Sequence, residues 1–194
     1  WNLSDNKLAI ALVGRLVPIK NHPLFLESIS FVKSKTDKKF QVFLVGDGEE
    51  KNALMALCDK LNLSYNSIPD PSADIIFTSW ISKVDQVFAG IDIVCLSSKN
   101  EGTPVSLIEA GCAGKPFIST DVGGVRDLMI DPRQGIVTPK NSIEAFREVL
   151  LKWVVSTKPG SILDFDVRNK LAKKYSYKQL CLEMSKVYEE LLTS

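Results

Sequence analysis

Two short stretches constrain this chain most: "LAIALVG" at residues 8 to 14 and "FQVFLVG" at 40 to 46. Each is an apolar run, mostly uninterrupted by polar residues, that ends in glycine. A strand with one wet face alternates apolar and polar side chains, whereas a strand covered on both faces does not. Strands of the second kind belong to parallel sheets, whose neighbours are joined by crossovers that are usually helices. The sequence supplies such crossovers. Phe25, Ile29 and Val32 recur at helical spacing after Pro23, and so do Leu54, Leu57, Cys58 and Leu61 after the second run. Further strands are expected near 64–68, 74–77, 92–97, 116–119 and 135–138, with helices near 84–90, 103–113 and 142–154. Strand and helix in turn predict an α/β fold, a doubly wound parallel sheet, over residues 1–155. Residues 156–194 read as a linker, "STKPGS", and C-terminal helices, ending in "SYKQLCLEMSKVYEELL" with one apolar stripe from Leu180 to Leu192. The two-proline segment "SIPDPSAD" (67–74) reads as a surface loop.

The totals fit that picture and remove several functions. At 194 residues the chain favours one domain with a helical appendage. A formal charge of +1 gives no bulk attraction for nucleic acid or an anionic membrane. The cysteines, Cys58, Cys95, Cys112 and Cys181, are widely spaced in apolar or helical contexts that suit reduced thiols, which points to the cytoplasm. No apolar run reaches the roughly 18 residues that cross a bilayer. The opening Trp1 to Asp5 lacks the basic and apolar regions of a signal peptide, and the missing initiator Met suggests an excised fragment.

In an open parallel sheet, ligands bind beyond the carboxyl ends of the strands, so the residues just after each strand carry the information. After the first strand, "GRLVPIKNHP" offers Gly14 for a tight exit, Arg15 and Lys20 as two cations on the rim, and a helix start at Asn21 or His22 with Pro23. Two cations beside a helix start favour a phosphate, although basic loop residues are also common as solvated charges. "GDGEE" (46–50) lacks the third glycine of a dinucleotide fingerprint and reads as a glycine turn before a helix. The stretch "NEGTPVSLIEAGCAGKP" (100–116) follows the strand "IDIVCLSS". Thr103 then reads as N-cap with Pro104 at the first helical position. The free amides and positive dipole end of that helix attract an anion, and Gly102 lets a ligand approach the backbone. Glu101 precedes the helix. Glu109 lies about two turns inside it, where Val105, Leu107, Ile108, Ala110, Cys112 and Ala113 place apolar groups nearly all round. Read singly, Glu101 is a dipole-favoured loop acid and Glu109 a surface acid on a polar strip with Ser106. Read together they suggest a site.

This set of stretches resembles the retaining glycosyltransferases of family 4. The match is carried by "NEGTPVSLIEAGCAGKP", with its two glutamates separated by seven residues, then by "STDVGG", "GRLVPIKN" and "GIDIVCLSS", all in order over residues 8 to 155. The resemblance implies the C-terminal, Rossmann-like half of a two-domain GT-B enzyme, with the acceptor-binding N-terminal domain absent. It implies a nucleoside-diphosphate sugar as donor, an acceptor that is a glycan, a lipid-linked glycan or a small molecule, and no metal or other cofactor. Residue by residue, Arg15 and Lys20 would hold the diphosphate behind Gly14, and Glu101 would bond hydroxyls of the transferred sugar. Backbone from Gly102 through Thr103 and Pro104 to Val105 would offer N–H groups, and Glu109 would accept from the ribose. Arg15, Lys20 and Glu101 would form the catalytic set. A cytoplasmic protein, peripheral at the inner membrane face when full-length, is the expected location, with polysaccharide biosynthesis as the setting.

Two positions depart from the family's pattern. "TSW" (78–80) replaces a loop that often holds Gly, so no base-reading residue is carried over. Asp127 stands where Glu is frequent and reads as a helix-start acid. Other chemistries find less support. His22 is the sole histidine, which argues against histidine metal sites and Ser-His-Asp triads within the chain. "DFD" (164–166) has metal-binding spacing but sits by the linker. A receiver domain needs acids after the first strand, where this chain has Gly14 and Arg15. A nucleotide-sugar 2-epimerase of the same fold and a non-catalytic interaction module remain as alternatives.

Overall fold

The computed structural model describes Leu3 and residues 6–193. The start of the chain read for a signal peptide is, apart from Leu3, outside these residues. Seven parallel strands form one sheet: β1 (Leu8–Val13), β2 (Phe40–Val45), β3 (Tyr65–Asn66), β4 (Ile75–Ser79), β5 (Ile93–Leu96), β6 (Phe117–Thr120) and β7 (Gly135–Thr138). Their spatial order is β3-β4-β2-β1-β5-β6-β7. Helices α1 (His22–Lys35), α2 (Lys51–Lys60), α3 (Val84–Ala89), α4 (Val105–Cys112) and α5 (Ile143–Ser156) alternate with them, followed by α6 (Phe165–Lys174) and α7 (Tyr177–Thr193).

The uninterrupted apolar runs have the reason proposed for them. In β1, Leu8, Ile10 and Leu12 join one core with Phe25, Ile29 and Val32 of α1, Leu54 and Cys58 of α2, and Phe146 and Leu150 of α5. Ala9 and Ala11 of the same strand face the other core, with Val87 and Phe88 of α3 and Leu107 and Ala110 of α4. A period of two thus sends successive residues into separate cores, and a polar exception, buried Gln41 of β2, has its side-chain amide nitrogen donating to Asp70 O and Ala73 O. Each largest buried side chain, fully removed from water, contributes about 1.5–3 kcal/mol.

The C-terminal region was only partly anticipated. Helix α6 falls among the C-terminal helices expected after the linker, but its position carries no sequence period of its own: its buried face is just Val167 and Leu171. Leu171 packs where a side chain at Gly111 would stand, only 2.2 Å from a Cβ placed there, so α4 and α6 approach closely because that residue is glycine. Asp164 and Asp166 of "DFD" sit at the start of α6, with Asp164 paired to Arg133. The tail stripe forms α7 as expected, and no residue of that helix is buried.

Order along the sheet locates the rim that matters. The chain runs outward from β1 through β2 to β4 and β3, then returns to place β5 on β1's other side. Loops after β1 and β5 therefore leave in opposite directions, opening a crevice between their carboxyl ends.

Candidate functional site

Two loops flank that crevice and are fastened together. After β1 the chain passes Gly14 and Arg15 into a 3-10 turn, Pro18–Lys20, and then reverses at Asn21 with φ of 51°, a conformation Asn tolerates better than most residues. Ser97, at the end of β5, donates to the carbonyls of Lys20 (2.9 Å) and Asn21 (3.0 Å), and the Lys99 amide donates to Ile19 O (2.8 Å). These bonds fix where Lys20 points. Its Nζ donates to Glu101 Oε1 at 2.7 Å, with both side chains largely shielded from solvent. Ser98, 1% exposed, donates to the same oxygen at 2.6 Å and is itself held by Thr120, whose hydroxyl donates to Ser98 O. Two donors converge on Oε1, which leaves Oε2 unclaimed among the described residues. An ammonium has three donors, so Lys20 keeps two for a ligand.

Glycines let the neighbouring backbones close in. The Gly124 amide donates to Gly102 O at 2.8 Å, and Gly123, at φ of 51°, passes so near that a Cβ there would lie 2.1 Å from Glu101 O. At Gly14 a Cβ would meet Lys20 Cε at 3.4 Å, so the bare exit gives the lysine stem room to fold across. Gly102 differs: it is exposed, and a Cβ there would meet nothing within 4 Å. Its open side faces solvent at the rim.

Several expectations need correction. Thr103 is not the N-cap. Pro104 takes that position in extended conformation, the helix begins at Val105, and no side chain caps it. The Pro104 carbonyl accepts from the amides of Leu107 and Ile108, which leaves those of Val105 and Ser106 open at the rim. Pro104, having no N–H, offers no donor, which removes one member from the expected run of amides between Gly102 and Val105. Helix α4 is buried on one side only, although its apolar residues lie nearly all round: Leu107, Ala110 and Gly111 are buried while Val105 is 62% exposed. Glu109 shares that exposed side, bordering a groove of about 370 Å³ lined also by Val84, Asp85 and Phe88 of α3, and by Cys112 and Ala113. Partial desolvation raises the Glu109 carboxyl above the ordinary range.

Arg15 lies on the rim, exposed and outside the ion pairs of the described residues. Lys20 and Glu101 are thus brought together directly, whereas Arg15 and Glu109 take part in neither one's hydrogen bonds, Glu109 bordering instead the groove between α3 and α4. Ser98 was missed. A serine at a strand end carries no sequence signal of its own, and only the fold reveals the carboxylate above it. His22 is the first residue of α1 and fully buried; burial, then the Lys20 charge, push its imidazole down to about 4. Asp127 is exposed, and its carbonyl accepts from Lys174 and Tyr175.

The sequence matches the family described as glycosyl transferases group 1 over residues 1–174. It is 24% identical, over 99% of its length, to a UDP-Gal:alpha-D-GlcNAc-diphosphoundecaprenol alpha-1,3-galactosyltransferase of Escherichia coli, covering 48% of that protein. It is 25% identical, over 98% of its length, to an uncharacterized glycosyltransferase of Methanocaldococcus jannaschii, covering 50%. Among solved structures, HepE of Anabaena in complex with UDP superposes with a TM-score of 0.77 at 16% identity, over 95% of this chain and 49% of that one. The chain spans about half the length of the curated relatives it matches.

Proposed function

Because the chain belongs to the group 1 glycosyltransferases, we propose that it is the donor-binding half of a retaining glycosyltransferase of family 4, acting on a nucleoside-diphosphate sugar. The observation that carries this reading is the Lys20–Glu101 pair at the crevice between β1 and β5. Relatives of twice the length support an acceptor-binding half elsewhere in the protein. Among the described residues no helix is long and apolar enough to cross a membrane.

In this reading the diphosphate lies over Lys20, Arg15 and the open amides of Val105 and Ser106. Departure of the nucleoside diphosphate leaves oxocarbenium-like charge on the sugar and builds negative charge on the leaving oxygens. Cations and amides already in place stabilise that charge without reorganising, so no metal is needed for it. Glu101 presents Oε2 to sugar hydroxyls while Ser98 and Lys20 hold Oε1, which fixes the carboxylate plane before the substrate arrives. Glu109, on the exposed side of α4, accepts from the ribose.

Calorimetric titration with UDP and with uridine tests the assignment. Lys20→Ala is expected to weaken UDP about 10- to 100-fold, the worth of charge-assisted hydrogen bonds, and uridine hardly at all. Equal losses contradict the role of Lys20. If the wild-type chain takes up no nucleoside diphosphate even at millimolar concentration, the domain is an interaction module instead. Retention is decided in the full-length enzyme by the anomeric configuration of its product.

A further inference from the structure

We infer that the groove between the starts of α1 and α5 is a second ligand site on the rim, and that it takes an acceptor saccharide bearing a phosphate or a carboxylate. The inference rests on the donor-binding reading and deepens it: in that reading the nucleotide occupies the α3 and α4 side of the crevice, and this groove lies on the other side.

Three strands deliver its walls to one edge of the sheet. β1 leads to Asn21, Leu24 and Glu27 at the start of α1, β5 ends shortly before Lys99, and β7 ends shortly before Lys140 and Asn141, which precede α5. The cavity between them is about 580 Å³. Its walls are fixed from below. Phe25 and Ile29 of α1 share one core with Phe146 and Leu150 of α5, and the Arg147 guanidinium lies 4.5 Å from the centre of the Phe31 ring. The second core, with α3 and α4, is on the opposite face of the sheet. A ligand entering this groove therefore meets a site already shaped.

The lining chemistry selects the ligand. Lys99 and Lys140 are exposed, and neither they nor Glu27 joins an ion pair among the described residues. Opposite charges that line one cavity without meeting leave space between them for a third group. Two lysines against one glutamate make the lining net positive, which favours an anion, while Glu27, Asn21 and Asn141 add the mixed acceptors and donors that hydroxyls need. Leu24 supplies apolar surface for the face of a sugar ring. No aromatic residue lines the groove, so it offers a nucleobase nothing to stack on. Position ties the groove to the reaction. The Ser97 hydroxyl bonds to the carbonyls of both Lys20 and Asn21, holding a donor-site residue and a groove residue together. Lys99, whose amide bonds to Ile19 O, stands two residues before Glu101, so their Cα atoms are at most about 7 Å apart. A saccharide anchored between Lys99 and Lys140 thus approaches the sugar at Glu101 from the side the nucleotide leaves free.

The test titrates the 194-residue chain with glucose 6-phosphate, glucuronate and glucose by calorimetry, with and without saturating UDP. At least one of the two anions should bind the UDP-loaded chain with a dissociation constant on the order of 1 mM, as exposed charges allow, and glucose at least about tenfold more weakly. Which anion binds identifies the acceptor's charged group as phosphate or carboxylate. Lys140→Gln should weaken that anion about 3- to 10-fold and Glu27→Gln should tighten it, both with UDP affinity and melting temperature as in the wild type. If neither anion binds, if glucose binds as well as the anions, or if Lys140→Gln changes nothing, the inference is overturned while the donor site stands. Competition between the anions and UDP, or a loss of UDP affinity in Lys140→Gln, overturns it too, because the groove would then belong to the donor. Failure of the wild-type chain to bind UDP removes the donor reading itself, and the acceptor role of the groove with it.

Discussion

At the scale of single residues, glycines and one histidine make the sharpest predictions. Gly102 and Gly123 adjoin Glu101, yet only one has room for a side chain. Gly102→Leu should leave the melting temperature almost unchanged while lowering UDP affinity, since the new side chain projects into open rim space. Gly123→Ala meets both positive φ and the Glu101 carbonyl, and should cost at least about 1–3 kcal/mol in denaturant unfolding. Equal destabilisation by the two would contradict this geometry. His22 links stability to pH. Its folded value of about 4 lies below the unfolded 6.5, so between these limits the unfolded chain binds a proton that the folded chain refuses. Its contribution to stability is therefore full above pH 6.5 and falls as pH drops towards 4, by a total of about 3 kcal/mol at 1.36 kcal/mol per unit. His22→Leu should flatten that part of the pH–stability curve, measured by urea unfolding at a series of pH values.

Among the elements, α6 and α7 behave as opposites although they are adjacent in sequence. Leu171 is fully buried between α6 and the glycine face of α4, so Leu171→Ala should destabilise by about 2–5 kcal/mol. Leu180, on α7, is 58% exposed, and Leu180→Ala should stay within about 0.5 kcal/mol. Chemical denaturation of the two variants checks the contrast. The difference was hidden in sequence for an instructive reason. Helix α7 advertises itself by a long stripe that nothing in the described chain buries. Helix α6 is docked by two apolar residues, Val167 and Leu171, because Gly111 lets the helices approach closely. Burial depends on what stands opposite, and periodicity reports only what one helix offers. The start of α4 shows the same limit: a proline after a threonine reads as an N1 residue behind a cap, but the carbonyl that begins the helix is that of Pro104.

For the molecule as a whole, a ligand that binds only the folded state must raise its stability. At 100 times its dissociation constant, UDP should add about 2.7 kcal/mol, or about 5–10 °C in melting temperature for a domain of this size. Lys20→Ala, melted at the same UDP concentration, should show most of that increment gone. A chain whose melting temperature ignores UDP at every concentration would be serving some purpose other than donor binding.

How much of this was legible beforehand follows from the range of the forces involved. Strands β1, β2 and β4 to β7 lie where apolar runs place them, with glycine stops after the first two, because removing both faces of a strand from water dictates its residues one by one. Even the rim residues could be named from their positions after strands. What sequence could not supply was contact: Lys20 and Glu101 are 81 positions apart, and their 2.7 Å bond exists because β1 and β5 became neighbours in the sheet. Ser98 beneath the carboxylate follows from that same assembly. Composition and period act along the chain and settle which elements form; the meeting of their ends is settled only when two cores close over the sheet and choose the strand order.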